Sequence, residues 1–393
     1  MNSPRRLLAS AGAVILVAAL VWTVLVVPRM ERLPGGIDDT MHYQGTVSLG
    51  LDPTTGAPLA TPLSVPLTIE RRVQAVAGQT GGHRELVTDT VAATIVGRTS
   101  SQAWTYLLDR RSMANVPDTR TVVDKAGTYS INLPFNATPT RTYQMWKPET
   151  GTSYPLTQSQ GAAATKVDGL RVLRLSGGLP KTPVTADEQQ ALGAQGFPAQ
   201  LTSEQVTARL AAAGIDLMKT GAALQQALTP AQLDEVLVAL TKPLPLQYSL
   251  TSSGNALVEP RSGMIVSVEG VTETLTVRPD LSGAAPVLGL LQQHTDIPQI
   301  ASALAALSAM ASAPDQVVYT ARYSQTPASV SERVGAAKSA RRDLRNLSAV
   351  IPLSLGGIAL ILFVTAAYLR PKTQPPAGVE SEDEDETADH EAA

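Results

Sequence analysis

The chain has 393 residues, a formal net charge of −3, 44% apolar and only 4% aromatic residues, and no cysteine. Without cysteine there is no disulfide framework, thiolate nucleophile or Cys-based zinc site. Residues 380–393 hold eight acids and no Lys or Arg, so the rest of the chain is +5. That surplus is not the concentrated basic face that nucleic-acid binding requires, and nucleic acid is excluded as a partner.

Met1–Arg6 carries Arg5 and Arg6 directly before an apolar run, Leu7–Val27, that contains no charge. At ~1.5 Å per residue, 21 helical residues cover about 31 Å, which matches a bilayer core of roughly 30 Å. The run exceeds the 7–15 residues of a signal-peptide core and leaves through Val26-Val27-Pro28-Arg29 without a small-residue cleavage site, so a retained anchor is expected. Trp22 suits the interfacial end of such a helix. A second charge-free run of 23 residues, Leu347–Leu369, ends in Tyr368 and holds Pro352 and Gly356-Gly357, which a membrane helix tolerates.

Between these runs, residues from Thr40 to about Leu175 read as strands and turns. Met41–Leu49, Leu63–Val76, Glu85–Arg98, Ala103–Leu108, Gly127–Leu133, Arg141–Trp146 and Leu170–Leu175 are rich in β-branched or alternating apolar residues. The turn Asp52-Pro53-Thr54-Thr55-Gly56 and the Gly78–Gly82 loop separate some of them. The composition changes near Thr185. Thr185 with Glu188 caps a short helix, Thr202 with Gln205 and a Leu201–Val206 staple starts a second, and Gly214 ends it. Asp216–Ala227 is helical in pattern, and Thr229 with Pro230 starts a helix limited by Pro243.

Strands resume at Leu246–Ser252, Ala256–Val258, Met264–Glu269 and Thr272–Arg278, with turns at Ser253-Gly254-Asn255 and Pro260–Gly263. Ala284–Gln293 and Pro298–Ala311 are Ala/Leu-rich helices too short to span a bilayer, whose stripes are expected to pack on the core. Gln316–Tyr323 is a last strand. Ser329–Arg345, with Arg333, Lys338, Arg341, Arg342 and Arg345, has helical spacing and reads as a juxtamembrane helix near anionic head groups or as a solvated stalk. The tail beginning at Glu380 is too charged to fold alone.

The expected fold class is α+β: an antiparallel β-rich domain with a helical insert, flanked by two transmembrane helices. The expected plan is a cytoplasmic N-terminus at 1–6, a transmembrane helix at 7–27, an extracytoplasmic domain at 28–346, a second span at 347–369 and a disordered acidic cytoplasmic tail at 370–393. The insert covers about 185–242 and the juxtamembrane helix about 329–346. Long loops translocate largely regardless of charge, so the Arg and Lys residues flanking both termini, including Arg370 and Lys372, place those termini in the cytoplasm and the protein in the plasma membrane.

No catalytic signature is present. His42, His83, His294 and His390 lack partners at metal-binding spacing, and there is no phosphate loop, dinucleotide fingerprint or Gly-x-Ser-x-Gly elbow. Acids are scattered. No catalytic, cofactor or metal residue is assigned, and a non-enzymatic protein is expected. Asn136-Ala-Thr138 and Asn346-Leu-Ser348 match the glycosylation pattern by chance.

Several segments together resemble an actinobacterial family labelled PorA-family porins: Leu33-Pro34 with Thr40-Met-His-Tyr-Gln-Gly-Thr46, Tyr106-Leu-Leu-Asp109-Arg110-Arg111-Ser112, Arg141-Thr-Tyr143-Gln-Met-Trp146-Lys147-Pro148, and Val258-Glu259-Pro260-Arg261-Ser262-Gly263-Met-Ile265. Lys147 stands where the family pattern has an acid. The likeness covers nearly the whole chain and is weakest in 185–242. The two-span plan also resembles class B scavenger receptors, an architecture that implies a lipid-conducting tunnel. The residues themselves favour a membrane-anchored cell-envelope protein whose large domain binds or passes an envelope lipid or partner. The family resemblance implies the alternative, a porin, and because two helices enclose no water-filled path, that channel would be oligomeric.

Overall fold

A computed structural model describes residues 4–30, 36–51, 58–118, 124–159 and 165–369. The expected turn at Asp52–Gly56, the Leu33-Pro34 pair, His390 and the acidic tail lie outside the described residues. The fold is mixed α and β, with a curled antiparallel sheet and two helices long and apolar enough to cross a membrane. The chain divides into two compact units, residues 1–30 with 345–393, and residues 31–344.

The smaller unit is built on helices α1 (Pro4–Val21) and α9 (Ile351–Tyr368), each adjoining a short π-helical turn, Trp22–Val26 and Asn346–Val350. Gly12 meets Ala359, while Trp22 Nε1 donates to Leu347 O at 3.1 Å, so the pair runs antiparallel. A Cβ on Gly12 would lie 3.2 Å from Ala359 O, and Ala359 and Ala366 are buried, so small residues make the seam. Leu7, Val14, Leu16, Leu353, Leu360 and Ile361 are exposed. An apolar outer surface with one small-residue seam is what a bilayer-embedded pair requires.

The larger unit holds strands β1 (Asp38–Leu51), β2 (Pro58–Gly81), β3 (Arg84–Ile95), β4 (Arg98–Asp109), β5 (Tyr143–Lys147), β6 (Thr152–Gln158), β7 (Thr165–Val167) and β8 (Leu170–Pro183). Helix α2 (Ala186–Ala194), strand β9 (Gln200–Leu201), and helices α3 (Ser203–Ala212), α4 (Leu217–Ala227) and α5 (Pro230–Thr241) follow. Strands β10 (Leu244–Val258) and β11 (Ile265–Pro279), helices α6 (Ala285–Gln292) and α7 (Pro298–Ser312), strand β12 (Gln316–Gln325) and helix α8 (Pro327–Arg345) complete it. The main path is β4-β3-β2-β1-β12-β11-β10-β8-β6-β5.

Closure comes from irregular backbone. Edge strand β4 bridges to Asn115 through Leu108, Ala114 bridges to Tyr129, and Tyr129 bridges to Met145 in the opposite edge strand β5. The segment expected as a strand at Gly127–Leu133 is therefore part of a lace joining the two edges at one end. An unpaired edge is an aggregation hazard, and this lace covers part of it.

Two further corrections concern β10 and β11. Ser253-Gly254-Asn255 is not a turn: β10 runs through it with a register shift, and Gly254 faces Gly177 of β8. The expected break between Glu269 and Thr272 is likewise absorbed within β11. A glycine inside a strand signals a turn when read locally, but here it accommodates a bulge that bends the sheet. Strand β2 also extends through the Gly78 region to Gly81.

The helical expectations follow capping chemistry. Thr202 with Gln205 and Thr229 with Gln232 form capping boxes, and Pro230 stands at the start of α5. α6 and α7 do not pack on the sheet alone. Val287, Leu291 and Ile300 join Leu224, Leu228 and Val236 in one apolar cluster, so both belong to the helical module. α8 is not a solvated stalk: Val334 and Ala337 are buried against Leu170, Val172, Leu257 and Val266. Arg333, 3% exposed, pairs with Asp39 at 2.6 Å and donates to Ile265 O and Asn132 Oδ1. The charge that suggested solvent is consumed by a partner 294 residues away in sequence.

Candidate functional site

The family-like motifs fold into structural devices. Glu259, 1% exposed, accepts the Ser262 N–H at 2.7 Å and its hydroxyl at 2.8 Å, closing the turn that follows β10. Gly263 completes that turn at φ +72°, and any Cβ there would lie 2.0 Å from Leu133 O. Asp109 Oδ1 accepts from the backbone of Arg111 and Ser112, an Asx-type turn at the end of β4. The Tyr143 hydroxyl accepts from Thr138 N at 2.7 Å beneath a Tyr129–Tyr143 edge-to-face contact. Of the histidines, His42 and His83 are exposed and His294 is half-buried. Among the described residues no group of three His, Cys, Asp or Glu side chains is arranged to hold a metal ion.

The concave side of the curled sheet is hollow. A partly open cavity of about 340 Å³ lies within it, at the lower end of the ~300–1,000 Å³ typical of ligand sites. Leu67, Ile69, Val91, Leu250 and Leu275 supply apolar wall, and Tyr43, Trp104, Tyr106, Trp146, Tyr154, Tyr319 and Tyr323 supply aromatic wall. Tyr43 and Tyr323 meet edge to face, 6.0 Å between centroids. Burial raises the Tyr106, Tyr319 and Tyr323 phenols above their ordinary range, so all three are neutral donors.

Charged residues gather at two points. Arg71 of β2 makes a two-point pair with Asp89 of β3, at 2.9 and 2.6 Å, and donates to Ser130 O in the lace at 2.8 Å. The second group centres on Lys147 at the end of β5. Its ammonium contacts Glu273 of β11 at 2.6 Å and Glu149 at 3.0 Å. In the sheet order β6, β8 and β10 lie between β5 and β11, so Lys147–Glu273 is a strut across the hollow. Burial pushes the Lys147 ammonium down, but Glu149 and Glu273 outweigh it and hold the group well above its ordinary value.

Local geometry places the neighbouring acids. Thr150 N bonds Lys147 O and Gly151 N bonds Pro148 O, so the chain turns at Glu149. Thr185 N donates to Glu149 O at 2.9 Å, tying the N-cap of α2 to that turn, while Gln189 Nε2 fixes the helix to Leu246 O. One residue earlier on the helix, Glu188 reaches back toward the hollow. Gln102 Nε2 of β4 donates to Glu188 Oε2 at 2.9 Å, spanning the gap between the outer edge of β4 and α2. Burial, then the Glu149 charge, raises the Glu188 carboxyl, with the Gln102 bond opposing.

None of this grouping is readable from spacing. Lys147 and Glu273 are 126 residues apart, and the acids that appear scattered in sequence converge only through sheet order and the turn before α2. The one available signal was Lys147 itself, standing where the resembled family has an acid.

No curated protein matches the sequence. The sequence profile of the family described as Porin PorA matches residues 6–368, nearly the whole chain, and the protein therefore belongs to the PorA porin family.

Proposed function

We propose that the protein is a non-enzymatic, membrane-anchored porin-family component that passes small solutes, with the interior of the curled sheet as the compartment they enter. The observation that carries this reading is the hollow, mixed polar and aromatic interior. The family match favours a channel over the envelope-lipid reading that the residues alone suggested. Helices α1 and α9 form an apolar pair sealed by small residues. Such a pair encloses no aqueous path, and the conducting unit is an oligomer of chains. The large unit faces the extracytoplasmic side of the plasma membrane, with both termini in the cytoplasm. Planar-bilayer recordings on purified full-length protein test this: discrete conductance steps are expected, and a silent bilayer at protein densities where oligomers are seen in detergent sinks the channel.

A second reading rests on the same cavity. Its apolar wall beside a charged end suits the binding of an amphipathic envelope lipid, with release rather than conduction as the outcome. Native mass spectrometry of detergent-purified protein is expected to show a bound lipid if this holds, and ligand-free protein removes it.

A further inference from the structure

Six basic or acidic side chains line the cavity: Arg71, Asp89, Lys147, Glu149, Glu188 and Glu273. Two cations against four carboxylates leave a formal charge of −2. The deficit is local. Arg71 and Asp89 neutralise each other through their two-point pair. Lys147 is a single ammonium shared between two carboxylates. Among the described residues, the neutral amide of Gln102 donates to the Glu188 carboxylate. Glu149 Oε2 is buried and accepts no hydrogen bond among the described residues. A carboxylate out of water is compensated by a counter-charge, a proton or a hydrogen bond.

We propose that the acid-rich end of this cavity, around Glu149, Glu188 and Glu273, binds a small organic cation carrying an ammonium or guanidinium group. Three observations select that class. A bound divalent metal does not fit, because no described group of three ligating side chains is arranged for one. The space of about 340 Å³ accommodates a molecule rather than a bare ion. The walls hold five of the nine tyrosines and two of the three tryptophans in the chain, although aromatics are only 4% of the sequence. Aromatic faces attract organic cations, most strongly where water is excluded. Glu273 of β11 pairs with Ala321 of β12, between Tyr319 and Tyr323, which places rings and acid together. The acid-rich end receives the ligand's N–H groups, and the rings surround the alkyl part.

The inference uses the solvent-accessible interior of the channel reading and does not require conduction. Full-length protein in detergent is titrated with methylguanidinium chloride and with butylammonium chloride, against KCl at equal ionic strength, following the tryptophan fluorescence, to which the cavity-lining Trp104 and Trp146 contribute. A saturable change with either organic cation and none with KCl is expected. The E149Q/E188Q variant keeps the side-chain size and leaves Lys147 paired with Glu273; with its fold checked by its melting temperature, it is expected to bind at least about tenfold more weakly. Equal responses to KCl and both organic cations overturn the proposal, as does undiminished binding by the variant. A response to pH alone, with no cation effect, also overturns it, since a proton then fills the deficit. Bilayer recordings separate the two claims. Saturable binding with a silent bilayer keeps the site and removes the channel, and conductance with no saturable binding keeps the channel and removes the site.

Discussion

Lys147 is the residue whose removal is expected to cost most. It leaves Glu149 and Glu273 facing each other with no counter-charge, and breaking a buried pair from one side costs about 3–5 kcal/mol. Denaturant unfolding of Lys147→Met checks this, and Lys147→Arg is expected to retain most of the stability. The charged state of Lys147 is favoured by folding, so its contribution is complete below the ordinary lysine value of 10.5 and is lost only as pH rises through its higher folded value. Glu188 is an acid with a raised value, so folding favours its protonated form. Its contribution is fully present below 4.5 and is lost as pH rises through the raised folded value. Glu188→Gln is expected to flatten thermal stability against pH over that window and to raise it at neutral pH; a parallel pair of curves from calorimetry refutes the assignment. Gly263 has no tolerance for a side chain, because a Cβ would meet Leu133 O at 2.0 Å and the φ of +72° is unfavourable for L-residues. Gly263→Ala is expected to lower the unfolding midpoint sharply, more than Gly81→Ala, where a Cβ meets nothing within 4 Å.

Among the elements, the helical module is where local rules and structure agree best. Its N-termini are set by side chains three residues apart. Replacing Thr229 or Thr202 by Ala removes a cap that holds the N–H of Gln232 or Gln205, at a cost of about 1 kcal/mol each. Urea unfolding of the single and double variants checks both size and additivity, since the caps belong to different helices. Strands were less legible. Glycines at 254 and 270 look like chain reversals when only neighbours are considered, yet both sit inside long strands of a bent sheet. The basic run from Ser329 predicts a helix correctly, but its burial pattern depends on Asp39 and Asn132, which no local reading connects to Arg333.

For the whole molecule, the curl of the sheet and the lace between its edges create the interior that the functional proposals use. Ala93 of β3 lines that space. Ala93→Trp is expected to fill part of it and reduce single-channel conductance severalfold while leaving expression and melting temperature within a few degrees. Unchanged conductance would mean that solutes do not pass through the sheet's interior. The sequence by itself determined the two apolar helices, the helix caps, the mixed α and β class and the turn at Pro260–Gly263. Each depends on residues within a helical run or a few positions of one another. Only the tertiary structure decided that the sheet curls and laces shut at one end, that its core is hollow, and that Lys147, Glu149, Glu188 and Glu273 meet there. Those outcomes depend on which distant strands become neighbours, and that is fixed by the packing of the whole sheet, which no local pattern encodes.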